Sequence, residues 1–157
     1  MNIEIERKFL VSGDFSNDVV EEIDIIQAYL LKDPKKTIRI RQYGNKAFIT
    51  IKGIGNKSGL SRLEIEKEIS LEEAELLFPL CEKGQIEKTR NIVHYKGKTF
   101  EVDVFKGKLE GLIIAEIELE SEDETFTKPQ WLGKEVTGNK KYYNSYLSTI
   151  VEENEDN

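Results

Sequence analysis

Charged and apolar residues alternate in the first segment of the chain. In NIEIERKFL, residues 2–10, Glu4, Glu6 and Lys8 occupy every second position, with Ile3 and Ile5 between them. Because successive side chains of a strand point to opposite faces, this period predicts a strand with one charged and one apolar face. The polar positions of the later segments that repeat the pattern are Arg39 and Arg41, Thr50 and Lys52, Arg62, Glu64, Glu66 and Glu68, Lys88 and Arg90, Glu101 and Asp103, and Glu116, Glu118 and Glu120.

Turn signals such as DPKK, YGN and YKGK separate these alternating segments. Clusters of Gly, Pro, Asn and Asp between period-two segments are typical of antiparallel sheets. The resulting strand candidates are 2–10, 25–32, 37–43, 46–53, 62–69, 86–95, 98–105 and 112–120. The number of strands predicts a large antiparallel sheet or a barrel, and no element is assigned to residues 14–22.

Three segments have the sequence signals of helices. Ser70 and Glu73 form a capping box for a helix that begins at about Leu71 and that Pro79 ends. A short helix is expected near 122–127, and a last one over NKKYYNSYLSTI, residues 139–150. The predicted fold class is therefore α+β, mainly antiparallel β.

The length and charge of the chain limit its organisation and its partners. A chain of 157 residues fits one domain, which we place at residues 1–150, and the acidic segment 151–157 is expected to be a disordered tail. With 30 acidic and 23 basic residues the net charge is −7. Such a chain is not expected to bind nucleic acid or an anionic membrane surface non-specifically, so any basic site must be local.

Cysteine and histidine are too scarce for several kinds of chemistry. Cys81 is the single cysteine, which excludes an internal disulfide and a thiolate metal cluster; with no apolar leader in the sequence, a cytoplasmic protein is expected. His94 is the single histidine, so a His-paired nucleophile and a multi-histidine metal site are excluded as well. Any catalysis must use carboxylates, lysines, arginines and tyrosines, with or without a metal ion.

The alternation does not by itself decide which face of the strands is inside. An ordinary antiparallel barrel or sandwich would have an apolar interior and a solvated charged exterior. The alternative is a barrel with a polar, charged lumen and an apolar outer face covered by helices. Two observations favour the lumen: amphipathic helices need an apolar surface to pack on, and acids and bases segregate by strand.

A charged lumen would bind ions of both signs. Buried charges need partners or counter-ions, so an elongated polyanion is expected against the bases and divalent cations against the acids. Arginine forks match phosphate oxygens, and an oxygen-only ligand set suits Mg²⁺ or Mn²⁺ better than zinc. The residues therefore favour an elongated polyanion with phosphate oxygens as the ligand.

At this point the sequence resembles a known family. Glu4, Glu6 and Lys8 are similar to the ExExK signature of the triphosphate tunnel metalloenzymes, the CYTH superfamily. QAYL, IRIR, TIK, GLSRLEIE, EKTR, FEVDVF, AEIELE and EVTGNKKYYN follow in the order of the small bacterial members, over residues 2–147. The resemblance implies a closed eight-stranded antiparallel tunnel with a C-terminal plug helix. It also implies divalent-metal-dependent hydrolysis of inorganic triphosphate, or in some relatives of nucleoside or thiamine triphosphates, and thus a small-molecule triphosphate or polyphosphate as the ligand.

The resemblance also implies roles for individual residues. Tyr29 matches a tyrosine proposed as proton acceptor, although a phenol of pKa about 10 is a weak base at neutral pH and a hydrogen-bonded core tyrosine is the alternative. Glu6 and Glu118 would join Tyr29 as the catalytic residues. The implied metal ligands are Glu4, Glu6, Glu64, Glu66, Asp103, Glu116 and Glu118. The implied phosphate-binding residues are Lys8, Arg39, Arg41, Lys52, Arg62, Lys88, Arg90 and Lys141, the last from the plug helix or, alternatively, on a solvated helix face.

Two other functions remain open from the sequence. Relatives include class IV adenylate cyclases, which would need an adenine pocket beside the tunnel. A non-catalytic polyphosphate-binding module would keep the bases but would not need the ordered carboxylates, so Glu4, Glu6, Glu116 and Glu118 argue against it. The expected mechanism is in-line attack by a metal-activated water, without a covalent intermediate. A monomer and a homodimer are both compatible with the sequence.

Overall fold

The strands form one antiparallel sheet that closes on itself. The computed structural model describes residues 3–155. The strands are β1 Ile3–Val11, β2 Val19–Asp33, β3 Lys36–Tyr43, β4 Lys46–Gly55, β5 Ser61–Ile69, β6 Ile86–Tyr95, β7 Lys98–Phe105, β8 Ile113–Glu118 and β9 Leu132–Glu135. Their order is β5-β4-β3-β2-β6-β7-β8-β1-β9, and a further β5–β1 pairing closes β1 to β8 into a barrel. The eight-stranded closed barrel is confirmed, with β9 added beside β1.

The predicted strands agree with the structure except at two places. β2 begins at Val19, so part of the unassigned segment 14–22 is strand that pairs with β6. The short β9 was not predicted, because its four residues LGKE have no alternating pattern. It pairs with the far end of β1, where Phe9 lies opposite Glu135.

The first helix, α1, spans Leu71–Leu77 and begins as expected. The Ser70 hydroxyl accepts a hydrogen bond from the Glu73 backbone N–H, and the Glu73 carboxylate accepts one from the Ser70 N–H. A 3₁₀ turn, Phe78–Leu80, follows and contains Pro79. Ala74 packs on Ile40 and Ala47, so α1 covers the outer face of β3 and β4.

The second helix, α2, spans Asn144–Glu155 and closes one end of the barrel. The predicted helix over 139–150 begins later than expected, because residues 140–142 form a separate 3₁₀ turn. Its end also differs from the expected domain boundary at residue 150, since the helix continues to Glu155 and Val151 packs in a buried cluster. Of the expected tail 151–157, residues 156 and 157 lie outside the described residues.

Apolar side chains at the α2 end of the barrel hold this helix. Leu147 and Val151 pack against Ile86, Phe105 and Ile114. These three residues lie on the same face of β6, β7 and β8 as the charged residues, because they are separated from them by even numbers of positions. The polar face of these strands therefore becomes apolar where α2 covers it. These contacts bury the apolar face of α2 and place its first residues, Asn144 and Ser145, at the lumen.

The segment between β8 and β9 covers another part of the outer face. The helix predicted near 122–127 is wrong, since these residues form turns and irregular structure. Phe126 packs edge-on against Phe9 and Phe100, and Trp131 packs against Phe100. The contacts of Phe126 with rings on β1 and β7 hold this segment against the sheet, and its Thr and Pro residues have low helix propensity.

The outer face is only partly covered by helices and loops, contrary to expectation. Ile3, Ile51, Leu63 and Ile65 on β1, β4 and β5 remain exposed. Ile3 lies opposite Leu63, and Ile51 lies opposite Ile65, so these side chains adjoin. The sequence correctly predicts an apolar outer face, but this face is covered only where α1 and the 119–131 segment reach it.

Candidate active site

The barrel encloses a polar cavity of about 250 Å³. The residues that line it are Glu4, Glu6, Lys8, Tyr29, Thr37, Arg39, Arg41, Tyr43, Phe48, Thr50, Lys52, Arg62, Glu64, Glu66, Arg90, Glu101, Glu116, Glu118, Asn144 and Ser145. The polar-lumen interpretation is therefore correct, and the barrel with an apolar interior is wrong. Alternation determines most of this set, because the strands that carry a charged face turn that face inward.

The cavity has a basic half and an acidic half, because strands of like charge are neighbours. The bases Lys52, Arg39, Arg41 and Arg90 lie on the contiguous strands β4, β3, β2 and β6, among which β2 contributes Tyr29. The inward carboxylates lie on the contiguous strands β7, β8, β1 and β5. Lys8 on β1 and Arg62 on β5 are the basic residues within the acidic half. An ion that enters the cavity thus meets opposite potentials on opposite walls.

The basic half is crowded with guanidinium groups. Burial and the neighbouring guanidiniums of Arg39 and Arg90 lower the pKa of Arg41 to about 9. Nη2 of Arg39 and Nη2 of Arg41 lie 3.7 Å and 3.6 Å from one oxygen of Glu66, and the Nε atoms of both are buried without a hydrogen-bond partner. One partly exposed carboxylate does not satisfy two guanidiniums, so this wall is suited to bind an anion.

The acidic half is crowded with carboxyl groups. Burial and the nearby carboxylates of Glu116 and Glu4 raise the pKa of Glu6 to about 8. Despite burial, Lys8 holds the pKa of Glu116 well below its usual value, and Glu6 hydrogen-bonds to Glu116. A carboxyl that stays protonated beside a carboxylate indicates an excess of negative charge, which a cation would relieve.

Lys52 joins the two halves across the β4–β5–β1 wall. Its ammonium donates hydrogen bonds of 2.9 Å and 3.1 Å to the two carboxylate oxygens of Glu4 and lies 3.3 Å from an oxygen of Glu64. The Nε of Arg62 lies 3.8 Å from Glu4. Burial raises the pKa of Glu4 although Lys52 opposes the shift. These ion pairs fix the positions of the four side chains in the lumen.

Lys88 and Asp103 lie on the inward faces of β6 and β7 but do not line the cavity. The Lys88 ammonium is fully buried, 2.7 Å from Asp103, and donates to Oδ1 of Asn144 at 3.1 Å. Arg90 donates two hydrogen bonds to Asp103, at 2.8 Å and 3.0 Å. Despite burial, Arg90 and Lys88 lower the pKa of Asp103 to about 2. Neither Lys88 nor Asp103 lines the cavity, since Asp103 pairs with the two bases. The phosphate-binding role of Lys88 and the metal-binding role of Asp103 stay predictions.

Lys141 does not reach the cavity. It lies in the 3₁₀ turn before α2 with its side chain exposed, and its backbone N–H donates to Asn139. The solvated alternative is therefore the one that the structure has. Asn144 and Ser145, which the sequence analysis did not single out, occupy this end of the cavity. Both residues belong to α2, so an alternating strand pattern could not identify them as lining residues.

Other lining residues were missed for a different reason. Tyr43, Phe48 and Thr37 follow the inward parity of β3 and β4, but they are not charged and so carried no signal. The Tyr43 ring lies 5.3 Å from the Arg41 guanidinium carbon and 5.9 Å from that of Arg90. It thereby holds two guanidiniums in place by cation–π contact. Tyr29 lines the cavity as expected and is 4% exposed.

The carboxylates have the donor chemistry for a hard divalent cation. Glu4, Glu6, Glu116 and Glu118 project from the adjacent strands β1 and β8, where Glu6 lies opposite Glu118 and Lys8 opposite Glu116. Within residues 3–155, no three carboxylates are already grouped around one point as ligands, because the ion pairs of Lys52 and Lys8 separate them. The excess negative charge at Glu6 nevertheless fits a cation at this wall.

A closed antiparallel barrel with opposed acidic and basic walls defines a tunnel protein for charged small molecules. Over residues 2–151 the chain matches the CYTH domain, and it belongs to that family. An inorganic triphosphatase from Acetivibrio thermocellus is 47% identical over 148 residues, with 94% of both chains covered. One from Nitrosomonas europaea is 40% identical over 156 residues, which covers 94% of this chain and 98% of the relative.

Solved structures agree with the fold. A crystal structure of an inorganic triphosphatase has a TM-score of 0.67 and 37% identity, and covers 92% of this chain and 93% of its own. A putative adenylate cyclase from Bacillus halodurans has a TM-score of 0.59 at 22% identity, with 78% and 84% covered, and shows the likeness of fold alone. No helix within residues 3–155 has the length and hydropathy needed to cross a membrane.

Proposed function

We propose that this protein is a divalent-metal-dependent inorganic triphosphatase that binds its substrate along the barrel axis. The observation that carries the proposal is the division of one cavity into a basic wall of arginines and an acidic wall of glutamates. Two relatives named inorganic triphosphatase, both covered over most of their length, support the same function. A triphosphate carries negative charge along its whole length, so it matches the basic wall, and a bridging cation matches the other.

Substrate would be held by the bases that reach the lumen. Arg39 and Arg41 offer planar forks to phosphate oxygens, and binding would release them from Glu66. Lys8, Lys52 and Arg62 would contact the phosphates nearer the acidic wall. Arg90 reaches the lumen with its guanidinium already tied to Asp103 and Glu101, so it contributes mainly charge.

The carboxylates would hold the cation and the attacking water. Glu4, Glu6, Glu116 and Glu118 are the proposed ligands, with Glu64 and Glu66 at the exposed edge of the same wall. Mg²⁺ or Mn²⁺ bound there would neutralise phosphate charge and lower the pKa of a bound water. Glu6 and Glu118 would orient the water in line with the scissile linkage, and the Tyr29 hydroxyl would donate to a phosphate oxygen. Water adds across one P–O–P linkage and releases orthophosphate, diphosphate and a proton.

Removal of divalent ions is expected to abolish hydrolysis of inorganic triphosphate. The acidic wall provides oxygen ligands alone, which suit Mg²⁺ and Mn²⁺. Phosphate release measured in excess chelator should fall to the uncatalysed level and return when Mg²⁺ or Mn²⁺ is added. Full turnover in excess chelator would contradict the assignment of the acidic wall.

Substitution of the arginine forks is expected to lower kcat/KM for triphosphate. Arg39→Ala and Arg41→Ala each remove a charge-assisted contact worth about 1.5 to 3 kcal/mol, which corresponds to about 10- to 100-fold in kcat/KM. Lys67→Ala, an exposed lysine on the outer face of β5, removes the same charge outside the cavity and should leave kcat/KM unchanged. Unchanged kinetics in both arginine variants would refute the phosphate-binding role.

A class IV adenylate cyclase is the second candidate from the sequence. The likeness to putative cyclases is below 25% identity and bears on the fold alone. A cyclase needs a site for the adenine ring beside the phosphates, and the residues that line the tunnel are almost all charged or polar. Incubation with ATP and Mn²⁺ should therefore yield no cyclic AMP while triphosphate is hydrolysed in the same preparation.

A further inference from the structure

A second cavity lies beside the tunnel at the end that α2 covers. It has a volume of about 450 Å³ and lies between the β2–β3 turn, the β4–β5 loop and α2. Lys32, Lys36, Lys57, Arg62 and Lys140 line it, together with Asp33 as the one acidic residue. We call it the basic cleft. With five basic residues and one acidic residue the lining is positively charged, whereas the whole chain has a net charge of −7.

Most of the bases of the cleft have no carboxylate partner. Within the described chain, Lys36, Lys57 and Lys140 form no ion pair, and all three are exposed. Lys32 is paired with Glu152 at 3.0 Å, and Arg62 lies 3.8 Å from Glu4 in the tunnel. A concave surface with several unpaired cations focuses positive potential on its centre. The cleft therefore favours an anion with several charges.

The backbone around the cleft adds to this potential. α2 has twelve residues, and its first turn contributes Ser145 and Tyr146 to the lining. The N–H groups of a first helical turn point away from the helix and favour an anion. The β4–β5 loop approaches closely because Gly59, at φ +76°, packs on Gly138, where a Cβ would come within 2.3 Å of the Gly138 Cα. The walls of the cleft are thus set by packing rather than by a mobile loop.

The basic cleft adjoins the tunnel directly. Thr37, Arg62 and Ser145 line both cavities. Arg62 stands at this boundary with its guanidinium carbon 5.2 Å from the centre of the Tyr143 ring. A linear anion that fills the tunnel and extends past Arg62 would enter the cleft, where the unpaired lysines lie.

We propose that the basic cleft binds the phosphates of a linear polyphosphate that extend beyond the three held in the tunnel. This proposal rests on the proposed triphosphatase function and assigns to the cleft the part of a longer chain that the tunnel does not hold. Each added phosphate brings a negative charge that Lys36, Lys57 or Lys140 can meet. A nucleoside is the competing occupant, since Ile54, Tyr143 and Tyr146 also line the cleft. The unpaired lysines favour the phosphates, because a neutral base would leave them without a counter-ion.

A double variant, Lys57→Ala with Lys140→Ala, tests the cleft. Both lysines are exposed and lie outside the tunnel, so the fold and triphosphate binding should be kept. We expect KM for linear hexaphosphate to rise about tenfold at low salt, from the loss of two exposed charge pairs, and KM for triphosphate to change by less than about twofold. The matched control, Lys67→Ala with Lys108→Ala, removes the same charge from exposed positions outside both cavities.

The outcomes separate the cleft from the proposed function. Equal losses for triphosphate and hexaphosphate, or no loss for either, would overturn the cleft assignment. A loss for ATP as large as the loss for hexaphosphate would assign the cleft to a nucleoside and also overturn it. If the wild type hydrolyses no triphosphate, the proposed function fails, and calorimetric binding of hexaphosphate against triphosphate still decides whether the cleft adds affinity.

Discussion

Asp103→Asn is expected to lower the free energy of unfolding by about 3 kcal/mol at neutral pH, because it leaves buried Lys88 without a carboxylate and buried Arg90 with Glu101 alone. The Asp103 carboxylate lies 2.7 Å from the Lys88 ammonium and accepts two hydrogen bonds from Arg90. All three side chains are almost completely buried. Chemical denaturation monitored by circular dichroism measures the loss directly.

The pH dependence gives a second test of the same ion pairs. Arg90 and Lys88 lower the pKa of Asp103 from 3.8 to about 2 in the folded state. A depressed carboxyl pKa stabilises the fold above the unfolded pKa, and this contribution is lost as the pH falls through the folded pKa. The stability difference between wild type and Asp103→Asn should therefore shrink as the pH falls from about 4 to about 2.

Glu101→Gln is the matched control for Asp103. Glu101 lies on the same face of β7 and also contacts Arg90, at 3.0 Å, but its side chain is 34% exposed. Loss of an exposed pair should cost no more than about 1 kcal/mol. If Asp103→Asn were as stable as the wild type and instead needed much more Mg²⁺ for turnover, Asp103 would be a metal ligand, as the family resemblance implied.

The sequence predicts the lining of the lumen well because alternation is a local property. Once one charged residue of a strand faces inward, Glu4 and Glu6, or Arg39 and Arg41, must do so together. The closed barrel is likewise implied by the strand count and the family resemblance. Local pattern does not give strand order in space, and the contiguous acidic and basic walls follow from that order.

The errors arise where tertiary contacts decide. Asp103 has the inward parity of a ligand, but it lies opposite Arg90 and close to Lys88, so it pairs with these bases and does not line the cavity. Lys141 precedes the helix instead of lying within it, because the 3₁₀ turn over Lys140–Tyr142 displaces the helix start. Likewise the 122–127 segment is acidic enough to begin a helix, and the packing of Phe126 prevents one.

The crowded carboxylates of the acidic wall favour the binding of a cation, and the same crowding lowers the stability of the metal-free protein. In the proposed function Glu6 binds the cation, whereas its raised pKa means that its ionised carboxyl destabilises the metal-free protein at neutral pH. Active sites commonly retain such local destabilisation, since removing it costs function. Glu6 is therefore the residue at which loss of activity and gain of stability should separate most clearly.

Glu6→Gln is expected to reduce metal-dependent triphosphate turnover by about a hundredfold or more and to stabilise the metal-free protein. Burial and the carboxylates of Glu116 and Glu4 raise the pKa of Glu6 from 4.5 to about 8. A raised carboxyl pKa means that the folded state binds more protons, so the wild type loses stability as the pH rises from about 4.5 to 8. Glutamine keeps the shape and removes this loss.

The measurement combines thermal melts in chelator with triphosphatase kinetics in Mg²⁺. At pH 9 we expect the free energy of unfolding of Glu6→Gln to exceed that of wild type by about 2 kcal/mol. This is less than the full pKa shift implies, because the cavity admits water. The difference should vanish near pH 4. Glu68→Gln neutralises an exposed carboxylate on β5 outside the cavity and should change neither quantity. A fully active Glu6→Gln protein would refute the metal-binding wall, since a solvated glutamate is dispensable and a cation ligand is not.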